Sequence, residues 1–286
     1  ALRSEPVGWS HQNSFRLSWR APLDFSGIAG AYVRFQGLPA SPTDGEYYPA
    51  GELIEGLRVP SEGQHDVLLW LVDRAGNADP TTAVVLPEAL WYDGTSPRTS
   101  VAIDGLLGGQ GWYVGQVRLT ATAEDSASGV LETLWQFNDG AWVVAEGAVL
   151  GAQGIHTVRV ASRDGAGNLE EAQEFTISID SQPPSSRMRD LSRYQATTRF
   201  AVSWSGFDPA VGSGLAAYDV QMREGLTGAW QNWLLGTTLD EAVFEGVRGK
   251  RYEFRVRAAD LAGNLEPFGE SSRYTVIDSV RNGSFD

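Results

Sequence analysis

Apolar and polar residues alternate in three short runs that recur at similar intervals along the chain. The apolar positions are Val67, Leu69 and Leu71 in the first run, Val158, Val160 and Ser162 in the second, and Phe254, Val256 and Ala258 in the third. Ser162 is the one polar member of this set. A period of two is typical of a β-strand that turns one face toward a core. The pattern therefore predicts the same strand three times.

Each run ends in the same short motif, Asp-x-Ala-Gly-Asn, at residues 73–77, 164–168 and 260–264. The asparagines are 91 (168 − 77) and 96 (264 − 168) residues apart. That interval is close to the length of one β-sandwich module, about 100 residues. We therefore expect three copies of one module.

An earlier strand is expected in each copy, because alternating apolar residues recur upstream of each motif. They are Phe15, Leu17 and Trp19, then Val117, Leu119 and Ala121, then Phe200, Val202 and Trp204. Asn138-Asp139-Gly140 is typical of a hairpin turn. No stretch shows helical periodicity over ten residues. The sequence predicts an all-β fold of three tandem immunoglobulin/fibronectin type III-like β-sandwich domains in an elongated array.

Two stretches rich in turn formers, 92–97 and 179–184, end in proline and are interpreted as linkers. The predicted domains are 1–93, an Ig/FnIII-like sandwich, 94–181, a bacterial Ig-like sandwich, and 182–279, a fibronectin type III-like sandwich. Residues 280–286 are interpreted as the start of a further module or a tail. Short proline-bearing linkers restrict hinge motion.

Composition excludes several functional classes. The 286 residues include no cysteine, so there is no disulfide framework, thiolate nucleophile or cysteine zinc site. The net charge is −14 and sits mainly in residues 1–180. Anionic surfaces do not bind nucleic acid or anionic membranes through phosphate contacts. No apolar run is long enough to cross a bilayer, so we expect no nucleic acid partner and no membrane insertion.

The third copy carries a family resemblance. Tyr252, Phe254 and Val256 in the run from 249 to 258, with Trp204 upstream, resemble a fibronectin type III domain. The resemblance implies that Tyr252 makes the tyrosine corner of that family and that Trp204 lies in the core. His65 and His156 stand where the first two copies would have the tyrosine.

The first two copies are similar to the bacterial immunoglobulin-like repeats of secreted and surface proteins, through a Ser-Gly pair followed by Asp-x-Ala-Gly-Asn. The stretch 282–286 is similar to the opening of jelly-roll carbohydrate-binding modules. It implies that the natural protein continues into another module. These families serve as adhesins, spacers and enzyme appendages, so the resemblance indicates the fold and leaves the function open.

Acidic side chains are expected to meet at one pole of each sandwich. The main interpretation is that they close Asx-type turns, while Gly76, Gly167 and Gly263 supply a permissive φ. The alternative is a calcium site, because Ca²⁺ binds six to eight oxygen ligands. The candidate ligands are Asp93, Asp125, Asp164, Asn168, Asp180, Asp208, Asp260 and Asn264. In the first copy Asp24 would lie with Asp73 and Asn77. No cofactor other than calcium is indicated.

Two sets of tryptophans are interpreted differently. Trp19 and Trp204 occupy strand positions expected in the core. Trp112, Trp142, Trp230 and Trp233 lie near turns. The second set either packs at the rim or stacks on a sugar ring, as exposed aromatic faces do.

Catalysis is not indicated. His65 and His156 share a repeat position, which favours a structural role. The chain has no Gly-x-Ser-x-Gly, His-Glu-x-x-His or Gly-x-x-x-x-Gly-Lys motif.

The sequence is compatible with two functions. The first is a non-catalytic extracellular spacer or adhesion region of a larger bacterial surface or secreted protein. It would be monomeric in isolation, with a protein or glycan partner at a cell surface. The second is a carbohydrate-binding accessory region of an extracellular hydrolase.

Overall fold

The computed structural model describes residues 2–49, 51–270 and 272–279. These residues contain no α-helix, and their regular structure is β-strand with two short 3-10 turns, Pro80–Thr82 and Gly109–Gly111. The all-β expectation is therefore confirmed. The expectation of a further module beginning at 280–286 lies outside the described residues.

Repeat 1, residues 1–93, forms two sheets. Its strands are β1 Arg3–Glu5, β2 Trp9–Ser10, β3 Phe15–Ser18, β4 Ile28–Arg34, β5 Glu46–Tyr48, β6 Leu53–Leu57, β7 Gly63–Asp73 and β8 Val84–Tyr92. One sheet has the order β1-β3-β6, and the other has the order β2-β8-β7-β4-β5. The run at Val67 is thus the central strand β7 of the larger sheet.

Repeat 2, residues 94–181, has the same arrangement. Its strands are β9 Arg98–Asp104, β10 Trp112–Tyr113, β11 Val117–Glu124, β12 Val130–Phe137, β13 Val143–Val144, β14 Gly147–Leu150, β15 Gly154–Asp164 and β16 Gln173–Ile179. The sheet orders are β14-β11-β9 and β10-β16-β15-β12-β13. The predicted hairpin turn is confirmed: it joins β12 to β13, with Asn138 at φ 52° and Gly140 N–H donating to Phe137 O at 3.1 Å.

Repeat 3, residues 182–279, follows the same plan. Its strands are β17 Ser185–Met188, β18 Tyr194–Gln195, β19 Arg199–Phe207, β20 Leu215–Glu224, β21 Gln231–Thr237, β22 Glu241–Glu245, β23 Arg251–Asp260 and β24 Arg273–Ile277. The sheet orders are β17-β19-β22 and β18-β24-β23-β20-β21. The three repeats are therefore immunoglobulin/fibronectin type III-like sandwiches of one topology.

The first strand of each repeat is split between the two sheets. In repeat 1, β1 runs antiparallel to β3, whereas β2 runs parallel to β8, with Trp9 opposite Trp91. The parallel pairs β10 with β16 and β18 with β24 repeat this feature. Parallel strands need a crossover connection, and here the whole body of the repeat separates the two partners in sequence. The split lets one short segment extend both sheets.

The alternating residues form the cores, as predicted. Phe15, Leu17 and Val67 are buried in repeat 1. In repeat 2 the buried set includes Val117, Leu119, Trp135, Val158 and Val160, and in repeat 3 it includes Trp204, Val220, Phe254 and Val256. Trp204 is fully buried, as expected. Trp19 is only half-buried, although it packs against the repeat 1 core.

By compactness the chain divides into two units. The first contains the chain up to Val101 together with Ala121–Glu146 and Arg159–Glu174, and the second contains Ala102–Thr120, Gly147–Val158 and the chain from Phe175 onward. The division passes through repeat 2, so the domain boundaries drawn at 93 and 181 stay predictions. No helix among the described residues has the length and apolar character needed to cross a membrane.

Candidate functional site: two clusters of aspartates at the repeat junctions

Three aspartates meet where repeat 1 joins repeat 2, and three more meet where repeat 2 joins repeat 3. We call Asp93, Asp125 and Asp164 the junction 1 cluster, and Asp180, Asp208 and Asp260 the junction 2 cluster. In each cluster the three carboxylates offer one oxygen apiece, and these oxygens lie within 4.8 Å of one another. The sequence predicted both groupings. All residues of the first cluster belong to the first compact unit and all of the second to the second unit.

The shared topology explains why these residues meet. In repeat 2, Asp125 directly follows β11, Asp164 ends β15, and Asp93 lies in the linker that leads into β9. Antiparallel neighbours place the end of one strand beside the start of the next, so turns alternate between the two poles of a sandwich. β11 and β15 both end at the pole through which the linker enters.

Backbone N–H groups hold each carboxylate of the junction 1 cluster. Asp93 Oδ2 accepts a hydrogen bond from Ser128 N at 2.9 Å, and Asp125 Oδ2 accepts one from Gly129 N at 2.7 Å. Asp164 Oδ1 accepts from Asn168 N at 2.8 Å. The expectation that Asp125 and Asp164 close turns is thus confirmed, whereas the bond from Ser128 ties Asp93 to a loop 35 residues further along the chain.

Junction 2 repeats this network with different residues. Asp180 Oδ2 accepts from Ser213 N at 2.6 Å, and Asp208 Oδ2 accepts from Gly214 N at 2.7 Å. Asp260 Oδ1 accepts from Asn264 N at 2.8 Å. The glycines of the motif have positive φ, between 88° and 96°, as expected of Gly76, Gly167 and Gly263.

The motif asparagine ties each linker to the following repeat. Asn168 Nδ2 donates to Asp93 O at 2.8 Å and to Asp164 Oδ2 at 2.7 Å. Asn264 Nδ2 likewise donates to Asp180 O at 2.9 Å and to Asp260 Oδ2 at 2.9 Å. The amide nitrogen of Asn168 or Asn264 therefore connects the linker to the cluster by hydrogen bonds. From the sequence, these two residues are expected only as oxygen ligands.

Each cluster holds one carboxylate oxygen with no partner. Asp125 Oδ1 and Asp208 Oδ1 are both buried and accept no hydrogen bond. Asp93, Asp164, Asp180 and Asp260 are at most 3% exposed. Burial, together with the charges of Asp180 and Asp260, raises the pKa of Asp208, although the Gly214 N–H acts in the opposite direction.

The pole of repeat 1 is built differently. Asp24 is exposed, and its Oδ1 accepts hydrogen bonds from Ser26 N and Ser26 Oγ. Asp73 bonds Asn77 in the same way as the later copies. Among the described residues, the groups of three or more acidic or histidine ligands are the two junction clusters, and this pole is not one of them.

The turn tryptophans of the sugar-stacking hypothesis occupy different surroundings. Trp233 packs edge-on against Trp204 and Phe244. Trp230 lies under the guanidinium groups of Arg223 and Arg255, 4.6 and 4.3 Å from its ring centroid.

The remaining two tryptophans of this set differ in exposure. Trp112 is half-buried at the parallel pair with Ser178. Trp142 is 41% exposed beside the exposed Val143 and Val144.

The three histidines bond backbone carbonyl groups. His65 Nε2 bonds Ser61 O and His156 Nε2 bonds Ala152 O, both at 2.8 Å and both four residues upstream. In repeat 3 Tyr252 Oη accepts from Val247 N at 3.0 Å. This is the tyrosine corner implied by the resemblance, and histidine makes the corresponding corner in the first two repeats. His11 Nδ1 bonds Ala166 O at 3.3 Å across junction 1.

Comparison with known proteins adds little to the description of the fold. No protein-family model matches this chain, and no curated protein matches it. Among solved structures, the chain is similar to fibronectin(III)-like modules of Clostridium thermocellum CbhA, with 14% identity, a TM-score of 0.31 and coverage of 63% of this chain and 94% of that one.

A second solved structure spans nearly the whole chain. The three N-terminal domains of the highly immunogenic outer capsid protein of bacteriophage RB49 show 11% identity and a TM-score of 0.39, over 98% of this chain and 99% of that one. The fold assignment rests on the strand order and hydrogen-bond register of the chain itself.

Proposed function

We propose that this chain is a non-catalytic modular spacer or adhesion region of a larger secreted or surface-exposed bacterial protein. The observation that carries the proposal is that each linker is bonded into the repeat that follows it. Asp93 and Asp180 are buried, and each receives hydrogen bonds to its side chain and its backbone carbonyl from the next repeat. A spacer needs junctions that resist bending.

Other contacts support the same proposal. At junction 1, His11 of repeat 1 bonds the Ala166 carbonyl of repeat 2. At junction 2, Gly109 N donates to Ala262 O at 2.7 Å, and a Cβ added at Gly109 would lie 2.3 Å from Leu261 O. Such close backbone approach between repeats restricts their independent rotation.

The proposal is tested by the distance between two spin labels across junction 1. The chain has no cysteine, so Glu55→Cys on β6 and Thr122→Cys on β11 give unique attachment sites on exposed strand positions. Double electron–electron resonance should give one narrow distance distribution. A broad distribution would contradict a stiff junction.

A matched pair of variants locates the cause of the stiffness. Asn168→Ala removes the hydrogen bond to the backbone carbonyl of Asp93 in the linker and should broaden the distance distribution. Asn77→Ala is the control, because the Asn77 amide donates to Asp73 within repeat 1. It should leave the distribution unchanged.

A second candidate function is glycan binding as an accessory region of an extracellular hydrolase. It is favoured by Trp142, whose exposed ring and apolar neighbours offer a flat stacking surface. Titration with soluble polysaccharides should quench or shift tryptophan fluorescence in the parent chain but not in Trp142→Ala. An unchanged spectrum across β-glucans, xylans and chitin oligomers would remove this candidate.

A further inference from the structure

The six carboxylates of the junction clusters lack a counter-ion. The ion pairs of the described residues involve none of Asp93, Asp125, Asp164, Asp180, Asp208 and Asp260. Buried carboxylates in proteins are paired with a cation or bound to a metal, because an isolated buried charge is costly. Three of them within 4.8 Å also repel one another.

The partnerless oxygens give a second, independent observation. Five buried side-chain N or O atoms lack a hydrogen-bond partner among the described residues, and two of them are Asp125 Oδ1 and Asp208 Oδ1. These two residues occupy the same position in successive repeats. The other oxygen of each bonds the backbone N–H of the glycine that ends the loop, Gly129 or Gly214. Each loop therefore holds its carboxylate in place and leaves one oxygen free.

We propose that each junction cluster binds one divalent cation with the size and oxygen preference of Ca²⁺, so that the chain binds two. Ca²⁺ lies about 2.3–2.6 Å from its oxygen ligands, so one ion bridges oxygens up to about 5 Å apart. The spacing within each cluster satisfies that limit. The three carboxylates of a cluster supply three of the six to eight oxygens that Ca²⁺ binds, and water supplies the remainder.

The smaller Mg²⁺ is a poorer fit. It requires near-ideal octahedral geometry at about 2.0–2.1 Å and releases its water reluctantly. The backbone hydrogen bonds fix the carboxylates of both clusters from several directions. A rigid frame of this width favours the larger ion.

We expect two calcium ions per chain and not three, because the pole of repeat 1 differs from the two junction clusters. Asp24 stands where Asp125 and Asp208 stand, but it is exposed, and its Oδ1 accepts both hydrogen bonds from Ser26. Among the described residues, Asp24 and Asp73 at this pole are not grouped with a third carboxylate. Two carboxylates without a third do not make the site.

The proposed ion would join the linker to the next repeat. Asp93 belongs to the linker, whereas Asp125 lies in a loop of repeat 2 and Asp164 is the last residue of β15. A ligand that binds only the ordered arrangement stabilises that arrangement by mass action. This inference goes beyond the spacer function, since hydrogen bonds alone support a spacer without any metal.

The test is calorimetric titration of the full chain with CaCl₂ after removal of metal by EDTA and dialysis. The expected result is about two calcium ions per chain, bound in the micromolar to millimolar range used by calcium modules. The thermal midpoint should rise with calcium and return to its starting value with EDTA. Mg²⁺ at the same concentration should give a smaller rise.

Four variants assign the sites. Asp125→Asn and Asp208→Asn should each lower the stoichiometry from two to one, and the double variant should bind none. Asp24→Asn is the matched control at the repeat 1 pole and should keep two. Far-UV circular dichroism verifies that each variant is folded.

A measurement on the unaltered chain complements the variants. Tb³⁺ has a similar ligand preference, and its emission under tryptophan excitation should rise on binding and fall when Ca²⁺ displaces it. The proposal is overturned if calcium gives neither heat nor a midpoint shift, or if the double variant still binds two ions.

Discussion

One position in the repeat shows how different side chains satisfy the same backbone constraint. Two residues before the first core position of the long central strand stands His65, His156 or Tyr252. Each side chain reaches back four or five residues to the main chain. The histidines donate to a carbonyl oxygen, whereas the tyrosine accepts from an N–H. The corner is thus kept although its hydrogen bond is reversed.

We expect Tyr252→Phe to lower the free energy of unfolding of repeat 3 by about 1 kcal/mol. The substitution leaves the Val247 N–H without its partner, and a lost hydrogen bond of this kind costs about 0.5–1.5 kcal/mol. Chemical denaturation followed by tryptophan fluorescence measures the change. Tyr194→Phe removes a hydroxyl from an exposed tyrosine and should have no effect. Equal decreases in the free energy of unfolding of the two variants would contradict the stabilising role of the Tyr252 corner.

At the scale of the strand, a long insert buries the second face of β7 as well. The alternation predicted one buried face, through Val67 and Leu69, but Leu68 and Trp70 on the opposite face are buried too. The segment from 38 to 46 covers that face, and Trp70 Nε1 donates to Pro42 O at 2.8 Å. Gly45 permits the approach, since a Cβ there would lie 2.7 Å from the Trp70 ring. The sequence shows the insert but not where it folds.

Strand β4 and its counterpart β20 in repeat 3 both carry β-bulges. The pairing of β4 with β7 shifts between Ile28 and Gly30. The pairing of β20 with β23 shifts between Leu215 and Ala217. A bulge places two residues opposite one and so moves the following side chains to the other face. The period of two is therefore interrupted within both strands, and alternation alone does not predict which side chains face the core.

Strands β20 and β23 are also joined by a buried ion pair. Glu253 is 7% exposed and accepts Arg223 Nε at 2.9 Å, while Ser272 Oγ makes a short hydrogen bond to its other oxygen. Burial acts to raise the pKa of Glu253, but the hydrogen bonds from Ser272 and Arg223 and the charges of Arg223 and Arg251 outweigh it. The pKa is held below its ordinary value. The pair therefore contributes stability only when Glu253 is ionised.

Glu253→Gln should lower the free energy of unfolding at pH 7 by about 1.5–3 kcal/mol, the range for hydrogen bonds to charged groups. A carboxyl whose folded pKa is depressed contributes stability above its unfolded pKa, about 4.3, and loses it as the pH falls through the folded value. The difference between parent and variant should thus shrink between pH 5 and pH 3. Denaturation curves across this range measure it.

Glu245→Gln on β22 is the control for this prediction. Glu245 is largely exposed and lies 3.8 Å from Arg199. Exposed pairs contribute about 0–1 kcal/mol, so its effect should be small at every pH. If Glu253→Gln lowered the free energy of unfolding by the same amount at every pH, the contribution of Glu253 would come from its shape and not from its charge.

At the scale of the whole chain, repetition brings distant residues into equivalent positions. Asp93 is 71 residues from Asp164 (164 − 93), and Asp180 is 80 residues from Asp260 (260 − 180). The same topology brings both pairs together at the start of a repeat. The net charge of −14 is consistent with this design, since six of the acidic residues lie in the junction clusters. Among the described residues, no third carboxylate is grouped with Asp24 and Asp73 at the pole of repeat 1.

The alternation of side chains and the recurrence of Asp-x-Ala-Gly-Asn determined the fold class, the number of repeats and the membership of both clusters. Local patterns carry this information because strand period and turn chemistry depend on neighbouring residues. Only the tertiary structure decided which oxygens stay free, which atom of Asn168 and Asn264 faces the linker, and that Trp70 and Trp135 are buried. These depend on contacts between residues far apart in sequence, where the partner of each polar atom is set by packing.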